Sequence, residues 1–292
     1  MTEWKQIANH ISKASGSPFH PGNPDHVGGG CINTTVRLSD GQLGYFVKLN
    51  QASLLSMFEA ESAGLKEMAS TRTIRVPLPL CTGIAGNQAF LVMEEIRFGV
   101  SGDSAAAGRR LAAMHRHSRQ RFGWERDNTI GSTPQPNDWS SDWIDFWRQR
   151  RLGFQLQLAA ENGHGGALQR RGQQLLERFP ALIDHRPPPS LIHGDLWGGN
   201  IGYDLDGEPV IYDPAIYYGD RETEIAMTEL FGSPGPRFLA AYDEAWPLDA
   251  GYPVRKTLYN LYHILNHLNL FGGGYGSQAL NMIDRLLAEL GH

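Results

Sequence analysis

The stretch His193-Gly-Asp-Leu-Trp-Gly-Gly-Asn200 decides how this chain folds and what chemistry it can carry. Apolar, strand-forming residues flank it, and Asp204-Leu-Asp-Gly207 then predicts a hairpin turn. Asp213 follows the second strand of that hairpin. An aspartate and an asparagine five positions apart, with a further aspartate beyond the next hairpin, supply hard oxygen ligands. Mg²⁺ prefers such ligands and shares them with substrate phosphates.

This spacing predicts phosphoryl transfer. Kinases need a carboxylate that orients the attacking hydroxyl and accepts its proton, together with an asparagine and a second aspartate that hold the metal. We therefore predict Asp195 as the catalytic base and Asn200 and Asp213 as the Mg²⁺ ligands. Ordinary turn residues are the alternative interpretation of the same letters.

A glycine cluster upstream predicts the phosphate-binding loop. Main-chain N–H groups can approach phosphates closely where side chains are absent. The predicted nucleotide-contacting residues of this loop are Gly28, Gly29, Gly30, Cys31 and Asn33. No Gly-Lys-Ser/Thr follows the glycines, which argues against a P-loop nucleotide hydrolase.

Lys48 lies in a predicted strand whose apolar residues would bury its stem. A buried ammonium group needs a carboxylate partner, and the following predicted helix offers Glu59 and Glu61. Glu61 is favoured because its helical neighbours Leu65 and Met68 face the core. The pair is predicted to contact the nucleotide phosphates.

The composition of the chain changes after residue 95. A predicted strand over residues 90–93 runs into Glu94, Glu95 and Ile96, and the segments beyond are mainly helical in pattern. We predict two lobes, residues 1–95 and 96–292. Glu94, Glu95 and Ile96 are predicted to form the hinge that binds adenine through its main chain.

The order of these features leads to a family resemblance. The stretch 193–200 resembles the catalytic loop of the fructosamine kinase (ketosamine 3-kinase) family, which belongs with the aminoglycoside-phosphotransferase-like kinases. Trp197 points to ketosamine kinases in particular. Further similar segments are Gly28–Asn33, Phe46–Lys48, Met57–Glu61, Arg75–Pro79, Asp142–Phe146, Val210–Ala215 and Tyr218–Met227.

The resemblance implies an α+β, bilobal protein-kinase-like fold. A small N-terminal lobe would hold an antiparallel sheet with one helix, and the larger C-terminal lobe would be mainly helical. The implied reaction uses ATP and Mg²⁺ to phosphorylate the 3-hydroxyl of a fructosamine or ribulosamine, free or bound to a protein. The phosphorylated adduct can then release its amine, which is deglycation.

Four residues receive further roles beside the resemblance. Trp197 would offer a flat face to the sugar, with packing of the loop as the alternative. His193 and Glu224 would support the catalytic loop. Cys31 could be a redox-sensitive thiol, with a monomer or a Cys31-dependent dimer as the states, or it could be inert.

Other kinases of the same superfamily, acting on aminoglycosides or choline-like amines, are one alternative. A nucleotide-binding pseudokinase that serves as an interaction module is another. Lys48, Asp195, Asn200 and Asp213 argue against the pseudokinase, because all four reactive positions are filled.

Composition excludes several other classes of protein. The 292 residues are 41% hydrophobic and 20% charged, which excludes a disordered chain, and two cysteines cannot staple a disulfide scaffold. A net charge of −5 argues against non-specific nucleic-acid binding. No apolar run predicts a membrane span or a signal peptide, so we expect a cytoplasmic protein. His115 and His117 are predicted on a helix surface, because residues two apart face different sides.

Overall fold

The computed structural model describes residues 3–28 and 32–291. Three residues of the predicted phosphate loop, Gly29, Gly30 and Cys31, lie outside the described residues. Within the described ranges, no helix combines the length and the apolar character needed to cross a bilayer.

The helices and strands alternate early in the chain and become mainly helical later. The strands are β1 (Asp25–His26), β2 (Thr34–Ser39), β3 (Gly44–Gln51), β4 (Pro79–Ala85), β5 (Gln88–Glu94), β6 (Asn128–Ile130), β7 (Thr133–Gln135), β8 (Ser190–Ile192), β9 (Ile201–Tyr203), β10 (Pro209–Ile211) and β11 (Tyr217–Gly219). The α-helices are α1 (Glu3–Ser15), α2 (Leu55–Ser70), α3 (Ser104–His115), α4 (Trp143–Phe146), α5 (Gly153–Glu161), α6 (Ala167–Arg178), α7 (Glu222–Thr228), α8 (Pro236–Ala245), α9 (Tyr252–Phe271) and α10 (Tyr275–Glu289). Short 3₁₀ turns cover Ala52–Leu54 and Phe179–Leu182, and a π-helical stretch, Trp147–Leu152, joins α4 to α5.

The chain divides into two compact units. The first contains Met1–Asp103 and Gly202–Pro214, and the second contains Ser104–Ile201 and Ala215–His292. The predicted lobes, residues 1–95 and 96–292, differ from these units because the segment with β10 and Asp213 is grouped with the N-terminal part of the chain. The physical reason is a main-chain pairing of Arg75 with Val210 within the first unit.

The first unit is built on a five-stranded sheet of order β1-β2-β3-β5-β4, in which all neighbours are antiparallel. Ile7 and Ile11 of α1 share a buried apolar cluster with Val47 and Leu49 of β3. Because successive side chains of a strand point to opposite faces, Lys48 lies on the other face. Helix α2, with Phe58 fully buried, packs against β4 and β5.

The second unit has α9 at its centre. Its side chains Leu258, Leu261 and Leu265 are fully buried, and α5, α7 and α10 pack against it. Strands β8 and β11 form an antiparallel pair with Ile192 opposite Tyr217. The segment 193–200 leaves the end of β8, so this strand pair sets where the predicted catalytic loop begins.

Candidate active site

A buried ion triad lies in the first unit. The Nζ atom of Lys48 lies 2.5 Å from Oε1 of Glu61 and 2.6 Å from Oδ1 of Asp213. Lys48 and Glu61 are buried at their side chains, whereas the side chain of Asp213 is 47% exposed. The triad therefore carries a formal charge of −1, and its accessible part is the Asp213 carboxylate.

The two carboxylates keep Lys48 charged. Burial alone lowers the pKa of the Lys48 ammonium, but the charges and hydrogen bonds of Glu61 and Asp213 outweigh burial and hold the pKa above its ordinary value. Glu59, the other candidate partner from the sequence, is exposed on α2. Lys48 consequently offers a fixed cation on β3.

Asp213 adopts an unusual backbone conformation. Its φ is +61°, in the left-handed region that side-chain-bearing residues rarely occupy, although aspartate tolerates it better than most. The conformation follows β10 by two residues. It turns the chain sharply at the point where the carboxylate meets Lys48.

In the second unit, Glu224 of α7 holds the segment that precedes Asp195. Its Oε1 accepts the main-chain N–H of His193 at 3.0 Å, and its Oε2 accepts that of Gly194 at 2.7 Å. Burial raises the pKa of Glu224, but the hydrogen bond and charge of His115, with His193, outweigh burial and lower the pKa overall. A buried carboxylate therefore aligns two consecutive peptide units directly before Asp195.

Gly194 is required by the path of this loop. Its φ is +84°, and a Cβ built on it would lie 2.2 Å from the main-chain oxygen of Ala215. A main-chain hydrogen bond also joins the two segments, because the Ala215 N–H donates to the His193 oxygen at 2.8 Å. Any side chain at position 194 would push the loop away from Ala215.

Asp195 and Asn200 are joined by the loop itself. The Asn200 Nδ2 group donates to the main-chain oxygen of Asp195 at 2.9 Å and lies 3.4 Å from its Oδ2. Since the amide nitrogen is engaged, the oxygen Oδ1 of Asn200 is the atom that remains for a cation. The amide oxygen of Asn200 and the carboxylate of Asp213 are each the kind of hard oxygen ligand that Mg²⁺ prefers.

Trp197 sits on the surface of the loop. Its side chain is 39% exposed, and its ring lies over Gly199, where a Cβ would come within 2.3 Å of the ring. The contact with Gly199 is packing within the loop, and the exposed fraction leaves part of the ring accessible, so both interpretations of Trp197 stay open. The predicted contact with a sugar remains a prediction.

The predicted hinge residues follow the end of β5. The Glu94 N–H donates to the Leu78 oxygen at 2.9 Å, so it is not available to a base. Glu95 and Ile96 lie in backbone without regular secondary structure, and the Glu95 carboxylate accepts a hydrogen bond from Arg37 at 2.6 Å. These contacts leave any role in adenine binding to the main chain of residues 95 and 96 and the Glu94 carbonyl.

The described part of the glycine loop is exposed at Gly28. Asn33 follows the undescribed residues and accepts a hydrogen bond from Asn50 of β3 at 2.8 Å. Asn50 also donates to the Ile32 oxygen at 3.1 Å. Asn33 is thus tied to the sheet at the base of the predicted phosphate loop.

The prediction that His115 lies on a helix surface is wrong. Its side chain is fully buried. Its Nε2 lies 3.1 Å from Oε1 of Glu224, and its Nδ1 lies 2.7 Å from the hydroxyl of Tyr242. His115 therefore braces the carboxylate that holds the catalytic loop. These partners are 109 and 127 residues away along the chain, so no local pattern could reveal them.

A second group that sequence reasoning missed is an aromatic wall in the second unit. Its members pack against His267 with tilted or edge-on rings, and they are Phe231, Phe271 and Tyr275, with ring centroids 4.3, 5.6 and 5.2 Å from that imidazole. The wall adjoins the loop, because the Gly198 N–H donates to the Gly232 oxygen at 3.0 Å, one residue from Phe231. Burial lowers the pKa of His267, and it lowers that of the neighbouring His263 to about 3, so both rings are uncharged at neutral pH.

One cluster has the composition of a metal site but is already neutralised. Potential ligand atoms of His185, Asp220 and Glu222 lie within 4.8 Å of one another. The guanidinium group of Arg255 binds Glu222 at 2.7 Å, and it also contacts Asp184. We assign the cluster to a structural ion network, since Arg255 already pairs with Glu222 and His185 already pairs with Asp220.

The chain is similar in sequence to known kinases. The family model for fructosamine kinase matches residues 3–289. The chain is 48% identical over 287 residues to a probable ketoamine kinase of Synechocystis, covering 97% of each chain. It is 47% identical over 269 residues to a chloroplastic protein-ribulosamine 3-kinase of Arabidopsis thaliana, covering 90% of this chain and 82% of the relative.

Solved structures share the fold. A crystal structure from Haemophilus somnus, of a protein described as a fructosamine-3-kinase, is 30% identical, with a TM-score of 0.90 and 97% of each chain covered. An aminoglycoside phosphotransferase crystallised with AMP-PNP and hygromycin B is 14% identical, with a TM-score of 0.63 and 98% of each chain covered. The predicted α+β, protein-kinase-like fold is confirmed by these similarities.

Proposed function

The chain belongs to the fructosamine kinase family and is a phosphotransferase that acts on a hydroxyl group, and from this premise we propose that it transfers the γ-phosphoryl group of ATP to the 3-hydroxyl of a ketosamine. The acceptor would be a fructosamine or a ribulosamine, free or attached to a protein. The relatives named ketoamine kinase and protein-ribulosamine 3-kinase support this acceptor class.

The observation that carries the proposal is the buried triad of the first unit. An ammonium group that two carboxylates keep charged, on a strand and beside an exposed aspartate, suits nucleotide phosphates. A pseudokinase would not need to maintain such a costly arrangement, because burying charges requires close pairing. The triad thus supports ATP as the phosphoryl donor.

Asp195 would act as the base. It would orient the 3-hydroxyl and accept its proton as the oxygen attacks the γ-phosphorus. The double hydrogen bond of Glu224 to the preceding peptide units supports this role, because it restricts where the loop can place the carboxylate. A restrained main chain favours phosphoryl transfer, because this reaction depends on the position of the Asp195 carboxylate relative to the attacking hydroxyl.

Asn200 and Asp213 would hold Mg²⁺, which when bound would neutralise charge on the phosphates. Lys48 would contact the phosphates of the donor as a fixed cation. The Glu94 carbonyl and the main-chain groups of Glu95 and Ile96 would bind the base of the nucleotide.

The acceptor would be recognised by flat, uncharged rings. Trp197 is the exposed ring on the loop, and the aromatic wall around His267 adjoins the same loop. Rings of this type stack on sugars and attract protonated amines through their electron-rich faces. A ketosamine presents both a sugar and an amine, so the surface suits this class of acceptor.

Phosphorylation at C3 would make the adduct labile. Loss of a proton from C1 gives the 1,2-enaminol, and its electrons then expel phosphate as the C3–O bond breaks. Water hydrolyses the resulting imine and frees the amine. The proposed physiological result is deglycation.

The experiment is coupled ADP release with ATP, Mg²⁺ and a panel of free ketosamines, with Asp195→Asn as the blank. We expect turnover on fructosamine or ribulosamine that the variant abolishes. An aminoglycoside and choline belong in the panel as competing acceptors. Turnover on these alone would replace the ketosamine by another acceptor, and ATP binding without any turnover would favour the pseudokinase.

A further inference from the structure

The turn between β9 and β10 is organised by one buried carboxylate. Oδ1 of Asp204 accepts the N–H groups of Asp206 at 3.0 Å and Glu208 at 2.9 Å. The Asp204 N–H donates to the Glu208 oxygen at 2.9 Å, and the Asp204 oxygen accepts from Gly207 at 3.0 Å. The side chain is only 8% exposed. These contacts use Oδ1 entirely within the turn and leave Oδ2 for a partner elsewhere.

Arg75 is that partner, and it grips the hairpin twice. Its Nη1 lies 2.5 Å from Oδ2 of Asp204, and its main-chain oxygen accepts the N–H of Ile211 at 3.0 Å. Its Nη2 also lies 3.8 Å from Oε1 of Glu94, the last residue of β5. We call these three contacts the Arg75 clasp. The clasp joins the turn, β10 and the end of β5 within one unit.

The segment after the predicted hinge restrains the same hairpin. The rings of Phe98 and Tyr212 lie 5.4 Å apart, and the Gly99 N–H donates to the Tyr203 oxygen at 2.8 Å. A Cβ at Gly99 would come within 2.8 Å of the Asp204 oxygen, so the two segments run in direct contact. The hairpin is therefore held at its turn and along both of its strands.

These restraints end one residue before Asp213. Ile211 is bound by Arg75, Tyr212 is packed on Phe98, and Asp213 then takes its left-handed conformation. The half-exposed Asp213 side chain has Lys48 as its charged neighbour, and Lys48 is shared with Glu61. The position of the Asp213 carboxylate is thus decided by how the hairpin is held.

We propose that Arg75 is a positioning residue for Asp213: through Asp204 and Ile211 the clasp sets where the Asp213 carboxylate lies, and so sets the affinity for the Mg²⁺ complex of ATP. The inference rests on the proposed function, since it takes Asp213 as a metal ligand. Groups that orient a metal ligand from behind typically change metal affinity by about 10- to 100-fold. The competing view is that Arg75 and Asp204 form an ion pair that contributes only to stability.

The two views differ in one measurable ratio. We would titrate ATP by calorimetry into the full-length protein, once with Mg²⁺ and once with EDTA, for wild type, Arg75→Gln and Asp204→Asn. Arg75→Gln retains the main-chain bond to Ile211, and Asp204→Asn retains an oxygen for the turn. We expect each variant to weaken ATP binding with Mg²⁺ about tenfold, the low end because Arg75 is 42% exposed, and to leave binding in EDTA unchanged.

The matched control is Arg171→Gln. Arg171 is 41% exposed and lies 2.7 Å from Asp284 in an ion pair of the second unit, so its loss removes a similar interaction from a different place. We expect its ratio of the two affinities to equal that of wild type.

The double variant Arg75→Gln/Asp204→Asn should lose no more affinity for ATP with Mg²⁺ than either single variant, because both substitutions remove the same contact. Arg75→Lys should recover part of the loss by restoring a cation.

The outcomes separate the two proposals. Folded variants whose ratio matches that of wild type overturn the positioning role and leave the proposed function intact. If Arg75→Gln fails to fold, Asp204→Asn and Arg75→Lys decide the question by the same ratio. A wild-type protein that binds ATP equally with Mg²⁺ and with EDTA overturns the positioning role, because Asp213 then does not set the affinity for the Mg²⁺ complex, whereas the proposed function is decided by turnover on ketosamines.

Discussion

The triad of the first unit and the predicted catalytic loop of the second are held by different forces. Lys48, Glu61 and Asp213 are arranged by charge, with two short ion pairs on one ammonium group. The loop before Asp195 is arranged by hydrogen bonds from Glu224 to two main-chain N–H groups. The triad depends on attraction between charged side chains, whereas the loop depends on hydrogen bonds between a side chain and the main chain.

The difference predicts different consequences of damage. Removal of Lys48 leaves the buried Glu61 and the half-exposed Asp213 without their cation, so stability and nucleotide binding should suffer together. Loss of a hydrogen bond to the loop leaves a neutral peptide group misplaced, so the rate should fall while stability changes less. Three predictions test this contrast, and a fourth concerns an ion network outside both regions.

The largest effect is expected for Asp195→Asn. The amide keeps the shape of the side chain but cannot accept the hydroxyl proton, so kcat should fall about 10³-fold or more. ATP affinity should stay near that of wild type, because the triad is untouched. Steady-state kinetics on the best ketosamine, with calorimetry for ATP, measure both quantities.

A matched control for this variant is Asp138→Asn, since Asp138 is an exposed carboxylate that pairs with Arg150. It should retain wild-type turnover. A folded Asp195→Asn protein with more than a tenth of the wild-type kcat would remove Asp195 from the role of base.

Lys48→Met comes next. It leaves Glu61 and Asp213 facing each other without their cation, and we expect a loss of about 3 kcal/mol in the free energy of unfolding. The double variant Lys48→Met/Glu61→Gln should recover part of that loss, because one of the two negative charges is gone. Denaturation in urea measures the series.

Equal stability of the single and double variants would contradict the charge account of the triad. The Lys66→Met variant of α2 gives the baseline for loss of an ordinary exposed lysine from the same unit. It should lie within about 0.5 kcal/mol of wild type.

Glu224→Gln tests the hydrogen bonds that hold the loop. Glutamine presents an NH₂ group where a carboxylate oxygen now accepts a main-chain N–H, so one of the two bonds at His193 and Gly194 is lost. A hydrogen bond to a charged group is worth about 2 kcal/mol, which corresponds to a fall in kcat of about 30-fold. The KM for ATP should not change.

The split between kcat and KM is the decisive readout for Glu224→Gln. An increase in the KM for ATP with an unchanged kcat would show that Glu224 serves nucleotide binding instead of the loop. His115→Gln removes only the brace behind Glu224 and should produce a smaller change of the same kind.

The smallest effect concerns the ion network at His185, outside both regions. Burial lowers the pKa of His185, but its hydrogen bond to Asp220 and the charges of Asp220 and Glu222 outweigh burial and Arg255, so the pKa is raised on folding. Protonated His185 therefore stabilises the fold at pH values below its unfolded pKa, and the contribution is lost as the pH rises through the folded pKa. His185→Gln should cost about 1 kcal/mol at pH 5.5 and less at pH 8.5.

Urea denaturation of wild type and His185→Gln at the two pH values checks this prediction. A difference that grows with pH would mean that the neutral ring is the stabilising form. Catalytic constants should be unaffected, which separates this network from the triad and the loop.

Local patterns predicted individual elements, whereas the bilobal fold was implied by the family resemblance. Strand-forming residues 31–38 and 45–49 with an Asp-Gly turn between them are a strong hairpin signal, and the structure places β2 and β3 in this region. The hydrophobic period of residues 53–70 gave α2 to within a few positions. Both signals depend on residues close together in the chain, which is where single-sequence reasoning is reliable.

Contacts between distant residues were beyond such reasoning. His115 lies 109 residues from Glu224, and Arg75 lies 129 residues from Asp204. Nothing near His115 in the sequence distinguishes a buried brace from a surface histidine. Likewise, the turn 204–207 was recognisable, but the ion pair of Asp204 with Arg75 depends on how β10 pairs with a segment before β4.

The candidate site was predictable where a motif placed residues on one loop, as with Asp195 and Asn200. It was also predictable where helical phase selected one of two residues, as with Glu61, which is the glutamate that contacts Lys48. The aromatic wall around His267 could not be found, since its four rings come from α9, α10 and the segment after α7. Their roles in binding remain predictions.

The measurement that tests the central claim most directly is phosphorus NMR of the full-length protein with ATP, Mg²⁺ and a ribulosamine attached to a lysine derivative. The account predicts a new phosphomonoester signal coupled to the proton on C3, followed by inorganic phosphate and the free amine in equal amounts. A phosphate on any other carbon would contradict the assignment of the 3-hydroxyl, and inorganic phosphate formed from ATP without a phosphomonoester would contradict the proposed transfer to a ketosamine.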